Sequence, residues 1–215
     1  MALELYFHPF ASFCQKALIA FYENDTPFER HVVDLGDDAS RAGLNKLWPI
    51  TKFPVLRDHA RQQTIPESSI IVEYLTQYYP GPSRLIPDDP ELAIETRFWD
   101  RYFDLYVHEP MQKIVGDRLR PAEKKDSFGV DAARRLLTTA YGMIDDRMSA
   151  RTWAVGPSFT LADCAAAPAL FYAAKVQPFG QHTNVAAYLD RLQERKSYAR
   201  VLAEAAPYSS LFPSE

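Results

Sequence analysis

The feature that most constrains the fold is a proline-rich stretch, PGPSRLIPDDP, at residues 80–90. Proline lacks a backbone N–H and fixes φ, so four prolines and one glycine within eleven residues exclude a helix or strand interior. Before this stretch, short β-like runs alternate with helical ones, whereas only helical patterns follow it. The sequence therefore predicts two domains, residues 1–79 and residues 91–215, joined by a linker over residues 80–90.

The first domain has the pattern of a mixed α/β sheet with helices on its faces. Its order is βαβαββα, which implies right-handed parallel connections followed by a terminal antiparallel hairpin. A polar helical patch lies between the second and third strands. The predicted strands are residues 3–7, 28–35, 53–58 and 61–66, and the predicted flanking helices are residues 13–22 and 67–79.

The second domain is predicted to be all-helical. Pro110 lies inside the first of its helical patterns and predicts a kink there. Thr160 and Asp163 have the spacing of a capping box, which predicts a helix start and gives Asp163 a structural role. The predicted helices cover residues 92–116, 122–148, 161–176 and 185–205.

Charge and composition exclude several classes of function. A net charge of −4 argues against a general nucleic-acid-binding protein, because phosphate contacts require a basic face. No apolar run approaches the roughly 18 residues that a membrane span requires, and the N-terminus lacks the basic segment of a signal peptide. The sequence thus predicts a cytoplasmic protein with no membrane partner.

The cysteines and histidines indicate neither disulfides nor a metal site. Cys14 and Cys164 do not make a disulfide framework, and a reducing compartment suits them. The chain has no Cys-x-x-Cys pair and no Cys/His cluster, so no metal site is expected. The five histidines are scattered, and His8 is interpreted as a loop residue.

The first of three local motifs is Phe53-Pro54, at the start of the third predicted strand. A cis bond at this proline would hold a sharp turn and leave the backbone N–H and C=O of Phe53 unpaired. Such groups can pair with an extended peptide by strand addition. Taken alone, the pattern is better explained by an ordinary trans proline that begins a strand.

The second motif is Glu67-Ser68, at the predicted start of a helix. A hydroxyl and free N–H groups at a helix N-terminus form an anion site, and Glu67 beside it can pair with an ammonium group. Together they would suit the amino-acid end of a ligand that carries both charges. The alternative is that Ser68 or Ser69 merely caps the helix.

The third motif is FHPFASFCQKA, residues 7–17. Ser12 and Gln15 fit a capping box, so the structural role of Ser12 is that of an N-cap. A hydroxyl at a helix N-terminus also favours a nearby thiolate over a thiol, and the two roles are compatible. Cys14 is expected to be a buried, inert residue of this helix.

In this order and at these spacings, the motifs resemble those of the cytosolic glutathione S-transferase superfamily. The resemblance covers nearly the whole chain and rests on LYFHPFASFCQKALIAF, LWPITKFPVL, ESSIIVEYL and FTLADC. It implies a thioredoxin-like N-terminal domain and an all-α C-terminal domain, usually in a homodimer. It also implies conjugation of glutathione, through its sulfur, to a small electrophile bound in the cleft between the domains.

The resemblance assigns roles in glutathione binding to individual residues. Pro54 matches the family's cis-proline, so the Phe53 backbone is expected to pair with the cysteinyl backbone of glutathione. Glu67 and Ser68 match the pair that holds the γ-glutamyl end. Lys52 lies where many members place a polar or basic residue, and it is the candidate for the glycyl carboxylate.

Lys46 is a weaker candidate for the same carboxylate. The electrophile site is expected to have apolar walls, although for any single aromatic residue a plain core role is the stronger alternative. The candidate wall residues are Phe10, Phe13, Tyr102 and Tyr106.

The sequence departs from the family pattern where the thiol is activated. Ala11 stands where serine-type classes place a catalytic hydroxyl and cysteine-type classes a thiol. Ser12, the neighbouring hydroxyl, is therefore assigned the catalytic role. Tyr6 is expected to face the other side of the sheet by strand alternation. Trp48 and Thr51 replace the usual Asn and Gly of the loop before the cis-proline.

The sequence leaves open three alternatives to conjugation of glutathione. A cysteine-type oxidoreductase would need its thiol at position 11, where alanine stands. A zeta-type isomerase usually has an SSC run followed by basic residues, and ASFCQ matches it only in part. A glutathione-binding protein without turnover is favoured by the missing first hydroxyl.

Overall fold

The computed structural model describes residues 2–213, and its first domain is built on one four-stranded sheet. The strand order is β2-β1-β3-β4, with β1 parallel to β2 and antiparallel to β3, and with β4 antiparallel to β3. The predicted thioredoxin-like order βαβαββα is confirmed. The elements are β1 (Leu3–Phe7), α1 (Ser12–Glu23), β2 (Glu29–Val32), α2 (Asp38–Leu47), β3 (Val55–Asp58), β4 (Gln63–Pro66) and α3 (Ser68–Tyr78).

The two faces of this sheet are covered differently. Leu5 and Phe7 of β1 are fully buried in the main core, which also contains the apolar faces of α1 and α3. Tyr6, which alternates with them, points to the opposite face and packs on a small cluster that includes Leu44 of α2 and Val55 of β3. The prediction that Tyr6 faces away from α1 is therefore confirmed.

After residue 80, every regular element in the described part of the chain is helical, as predicted. Helix α7 is buried along most of its length and packs against α1, so the core is continuous between the two domains. The elements are α4 (Pro90–Tyr102), a π-helical segment (Phe103–His108), α5 (Glu109–Arg118), a 3₁₀ turn (Ala122–Lys124), α6 (Ser127–Met148), α7 (Leu161–Val176), α8 (Thr183–Glu194), α9 (Lys196–Ala205) and a 3₁₀ segment (Ala206–Leu211).

The helix predicted over residues 92–116 is interrupted near Pro110. The π-helical segment 103–108 lies immediately before α5, in which Pro110 is the second residue. Proline has no N–H to donate to the carbonyl four residues earlier, so the regular α-helical ladder cannot run through this point. The predicted kink thus takes the form of a widened turn.

The helix predicted over residues 185–205 is wrong in one respect, because the structure has two helices that meet at Arg195. The backbone of Arg195 is extended, with φ −68° and ψ 128°. Its guanidinium pairs with Glu23 of α1 at 2.6 Å and lies over the Phe159 ring at 4.0 Å. These tertiary contacts oppose a continuous helix, and no glycine or proline marks the break.

The capping prediction at Thr160 holds, and α6 begins later than expected. Asp163 is fully buried and accepts the Thr160 N–H at 2.8 Å, which completes the capping box. Helix α6 begins at Ser127 because Asp126 caps it, accepting the Gly129 N–H at 2.9 Å. Among residues 2–213, no helix is both long and apolar enough to cross a membrane.

Candidate active site

The loop between α2 and β3 turns sharply at the Phe53–Pro54 bond, which is cis. Within residues 2–213, the backbone N–H and C=O of Phe53 have no hydrogen-bonding partner. The loop is held by side chains, since Asn45 donates to Thr51 Oγ1 at 2.8 Å and to the Pro49 carbonyl at 3.1 Å. Thr51 adopts φ 57°, the left-handed conformation that a glycine would adopt most easily.

The start of α3 lies beside this loop. Glu67 precedes the helix with φ 70°, and Ser68 opens it with 5 % of its surface exposed. Neither side chain caps the helix, and Ser69 bonds elsewhere, so the capping alternative for these serines is wrong. Among residues 2–213, the first N–H groups of α3 therefore have no partner and can meet an anion.

These two segments form one cavity of about 110 Å³. It brings together residues that are about fifteen positions apart in the sequence, including a cationic side chain, a carboxylate and a helix N-terminus. Such a cavity can take a ligand that carries both charges and an extended peptide backbone. Its lining consists of Phe13, Trp48, Lys52, Phe53, Pro54, Glu67 and Ser68.

The start of α1 forms the next part of the site. Ala11, not Ser12, is the N-cap, and no side chain caps the helix. The predicted capping box of Ser12 and Gln15 is absent, because Gln15 Nε2 donates to the Pro9 carbonyl and to the Tyr172 hydroxyl, each at 3.0 Å. Ser12 is thus left for a different contact.

Ser12 contacts a histidine that the sequence analysis missed. Its Oγ lies 2.7 Å from Nε2 of His108, the last residue of the π-helical segment, and both side chains are buried. Burial, and secondarily the charge of Lys16, lower the pKa of His108 to about 4. The imidazole is therefore neutral at pH 7, with one nitrogen that donates and one that accepts.

The neutral imidazole permits two arrangements of the contact. The Ser12 hydroxyl can donate to Nε2, or the Nε2–H can donate to Oγ and leave the Ser12 proton free. Only the second arrangement presents a donor to a group in the cleft.

A buried cation lies one helical turn behind this pair. Lys16 of α1 is 1 % exposed, and its Nζ donates to Asp104 and to Ser69, each at 2.9 Å. It also forms an ion pair with Asp100, whose carboxylate accepts from Ser69 at 2.8 Å. Burial raises the pKa of Asp100, whereas Lys16 opposes that change. These contacts join α1, α3 and α4 behind the site.

Two larger cavities adjoin the small one through Phe13 and Phe53, which line all three. One of about 290 Å³ is mainly apolar, and its wall includes Phe10, Met111, Tyr172 and Phe212. The other, of about 460 Å³, has a more charged wall that includes Lys52, Arg101, Asp104 and Glu109. His108 lines both, and Ser12 lines the apolar one.

Phe10 and Phe13 line the apolar cavity, whereas the two predicted tyrosines line none of the three cavities. Tyr102 is 3 % exposed and donates its hydroxyl to the Ala140 carbonyl at 3.2 Å inside the helical core. Tyr106 packs on Tyr102 and is 43 % exposed, outside the three cavities. The prediction that these two tyrosines line the cleft is therefore wrong.

Helical geometry explains why the tyrosines miss the cleft. Two residues correspond to about half a turn in an α-helix and in the wider π-helical segment, so positions 102 and 106 point roughly opposite to positions 104 and 108. Asp104 and His108 face α1 and the cleft, and the tyrosines accordingly face the core and the outer surface.

The sequence also led to predictions for Cys14, His8 and Lys46. Cys14 is fully buried, and burial keeps the pKa of its thiol well above the usual range, so it is inert. His8 is a loop residue that contacts Tyr208 and Phe53, and burial lowers its pKa. Lys46 is exposed on α2 and does not line the small cavity.

Two family models match the chain. The model "Glutathione S-transferase, N-terminal domain" matches residues 5–83, and the model "Glutathione S-transferase, C-terminal domain" matches residues 127–191. Among curated proteins, glutathione S-transferase GstB of Escherichia coli strain K12 is 25% identical over 194 residues, which cover 87% of this chain and 91% of that protein.

Solved structures show the same similarity. A glutathione S-transferase of Methylobacillus flagellatus, with glutathione bound, superposes with a TM-score of 0.83 at 25% identity, over 93% of this chain and 98% of that one. A glutathione S-transferase of Methylobacterium radiotolerans, in complex with glutathione sulfonate, gives 0.80 at 27% identity, over 93% of each chain.

Proposed function

The chain belongs to the cytosolic glutathione S-transferase superfamily, and from this premise we propose that it conjugates the thiolate of glutathione to small electrophiles. The proposal rests on the relative positions of two cavities and one helix start. A cavity suited to the backbone and charges of glutathione opens beside a helix N-terminus with a buried hydroxyl, and both adjoin an apolar cavity.

Glutathione would lie along the small cavity with its γ-glutamyl end at the start of α3 and its glycyl end at Lys52. The free backbone groups of Phe53, beside cis-Pro54, pair with its cysteinyl residue as an added strand. Its γ-glutamyl end meets Ser68 and the free N–H groups of α3, with Glu67 close to the ammonium group. Lys52 reaches the glycyl carboxylate.

The sulfur would then lie at the start of α1. A free cysteine thiol has a pKa of about 8.5, so the site must favour the thiolate. When His108 Nε2–H donates to Ser12 Oγ, the Ser12 O–H donates to the sulfur, and N–H groups at the start of α1 add to this. A hydrogen bond to an ionised acceptor contributes about 1.5–3 kcal/mol, which is one to two powers of ten in thiolate population.

The reaction needs no covalent enzyme intermediate. The thiol proton leaves to solvent, and the sulfur electron pair forms a bond to the electrophilic carbon. The electron pair of the bond that breaks goes to the leaving group or, in an addition, to the acceptor. The electrophile lies in the apolar cavity, against Phe10 and Phe13.

Replacing Ser12 tests this assignment. We expect Ser12→Ala to lower the conjugation rate about tenfold to a hundredfold and to raise the pH at which the rate is half-maximal, because the thiolate loses a donor. Glutathione affinity, measured by calorimetry, should change little. An unchanged rate and pH profile would show that backbone N–H groups alone activate the thiol.

A second candidate is a glutathione-binding protein without turnover. It is favoured by Ala11 and by the Ser12–His108 contact, because a Ser12 hydroxyl that donates to Nε2 offers no donor to the sulfur. Glutathione binding without activity towards a panel of aryl halides, epoxides and isothiocyanates would support it. The oxidoreductase alternative lacks an accessible thiol, since position 11 is alanine and Cys14 is buried.

We also propose a cytoplasmic homodimer. Helices α3 and α4 leave large apolar side chains on the surface, which a second copy would cover. Light scattering should give a solution mass twice that of one chain. These exposed side chains are Ile70, Tyr78, Ile94 and Phe98.

A further inference from the structure

A cluster of carboxylates and imidazoles lies on the outer face of the sheet, at the end away from the candidate active site. The parallel register of β1 and β2 places Glu4 beside Glu29 and Tyr6 beside His31, so all four side chains emerge on one face. The ligand atoms of Glu4, Glu29 and His31 all lie within 4.8 Å of one another. His59, just beyond β3, reaches Glu4 from the other side.

The Nε2 atom of His31 is the unusual member of this cluster. It is buried although the side chain as a whole is 34% exposed, and within residues 2–213 it has no hydrogen-bonding partner. It nevertheless lies 3.4 Å from Glu29 Oε1 and 3.9 Å from Glu4 Oε2. Buried polar atoms are normally hydrogen-bonded, so a nitrogen that lies within ion-pair distance of two carboxylates and forms a hydrogen bond with neither needs an explanation.

The spacing fits a shared metal ion. Zinc bonds of about 2.0–2.2 Å in tetrahedral geometry place the ligand atoms roughly 3.3–3.6 Å from one another. The separation between His31 and Glu29 already has this value, and that between His31 and Glu4 exceeds it by less than an ångström. The Glu29 side chain is 50% exposed and can move towards the other two ligands.

The neighbouring side chains hold the cluster in position. The Tyr6 ring stacks on the His31 ring at 4.6 Å with an interplanar angle of 10°. The Tyr6 hydroxyl donates to Glu4 Oε2 at 3.0 Å, and His59 Nε2 lies 2.9 Å from Glu4 Oε1. Partners of this kind orient the ligands of known metal sites.

The charge around the cluster also favours a cation. Arg57, which lies opposite Glu4 in the register with β3, directs its guanidinium to Thr64 Oγ1 at 2.8 Å. Two carboxylates therefore face the position in front of His31, while Arg57 is bonded elsewhere.

We propose that Glu4, Glu29 and His31 form a divalent-cation site for zinc or a neighbouring first-row metal, with His59 completing or orienting the set. Imidazole and carboxylate ligands suit these metals. A bound metal ion would link β1 to β2 and to the turn after β3, so it is expected to raise the stability of the folded protein. This proposal is independent of glutathione binding. The sequence led us to expect no metal site, because we considered only cysteines and histidines at short spacings. The present proposal replaces that expectation.

The test uses the full chain without an affinity tag, in the absence of glutathione because thiols bind zinc. We expect calorimetry with zinc sulfate to show one ion per chain and zinc to raise the Tm. His31→Ala and Glu29→Gln should each weaken zinc binding at least tenfold and abolish the rise in Tm. Glu123→Gln, which removes an exposed carboxylate elsewhere, should leave both unchanged.

Two results would overturn the proposal. One is zinc binding by His31→Ala with the stoichiometry and affinity of the unaltered protein, which would place the metal elsewhere. The other is no saturable binding by the unaltered protein at millimolar zinc. In that case, direct contacts between His31 and the two carboxylates account for the cluster. Circular dichroism of the variants checks that each is folded.

Discussion

Two adjoining regions of the protein are built in different ways. The small cavity beside cis-Pro54 is shaped mainly by backbone, a sharp turn on one side and the start of α3 on the other. The layer where α1 meets α4 and the π-helical segment is built from side chains. In this layer Ser12 contacts His108, and Lys16 contacts Asp100, Asp104 and Ser69 of α3. We therefore expect changes in the layer to alter stability and pH dependence, and changes in the cavity to alter ligand affinity.

The largest effect is expected from Lys16→Met. This change leaves the buried Asp100 without its cation and leaves Asp104 paired only with Arg101, and an unpaired buried charge typically costs about 3–5 kcal/mol of unfolding free energy. Urea unfolding followed by circular dichroism measures it. The matched control is Lys113→Met, because Lys113 pairs with Asp126 at the surface, where an ion pair contributes far less to stability. Equal losses in the two variants would contradict the role given to the layer.

The second-largest effect is expected to be a loss of folding stability at low pH. Because burial lowers the pKa of His108 in the folded protein, the unfolded chain binds the proton first as the pH falls. Stability from this group is complete above the ordinary histidine pKa of about 6.5 and is lost towards the folded value of about 4. The loss is on the order of 3 kcal/mol at low pH.

His108→Gln removes the titrating group and should flatten this part of the curve. Urea unfolding of both proteins between pH 7 and pH 4 gives the comparison. Parallel curves for the two proteins would mean that His108 does not carry the pH dependence.

The third effect separates two adjacent serines. Ser68 faces the cavity and, within the described residues, makes no side-chain hydrogen bond, so Ser68→Ala should weaken glutathione binding about tenfold with little change in stability. Ser69 belongs to the layer, and Ser69→Ala should lower stability by about 1–2 kcal/mol. Calorimetry and urea unfolding on both variants provide the test. The same response from both would remove the distinction between the regions.

The smallest effect is expected from Lys52→Met. Lys52 is exposed, so its contribution to glutathione affinity should be only about twofold to fivefold. The difference should shrink as salt is raised from low to physiological concentration, because salt screens an exposed pair. A larger loss that is insensitive to salt would indicate that the lysine is desolvated in the complex.

The sequence predicted the cavity better than the layer, for a physical reason. Pro54 and Glu67-Ser68 mark a turn and a helix start, which are local features of the chain. Ser12 and His108 are 96 positions apart, and no pattern within either helix identifies its partner. The spacing of Ser12 and Lys16, and of Asp104 and His108, was the available signal, since each pair shares one face of its helix.

The predictions for the tyrosines and for the last helices were wrong for related reasons. Helical spacing shows that Tyr102 and Tyr106 share a face, but it does not show whether that face meets the cleft or points away from it. The break at Arg195 depends on Glu23, which lies in another domain of the chain. Contacts of this range become visible only when the elements are placed together.

The end of the described chain has a consequence for how this protein can diversify. Residues 211–213 line the apolar cavity, Phe212 stacks on Tyr172, and the Pro213 carbonyl accepts from Arg118, whereas none of these residues lines the small cavity beside cis-Pro54. Mutations here can reshape the pocket proposed for the electrophile while leaving the one proposed for glutathione intact. Laboratory evolution of substrate range could therefore begin by randomising residues 211–213, because selection there would act on one ligand at a time.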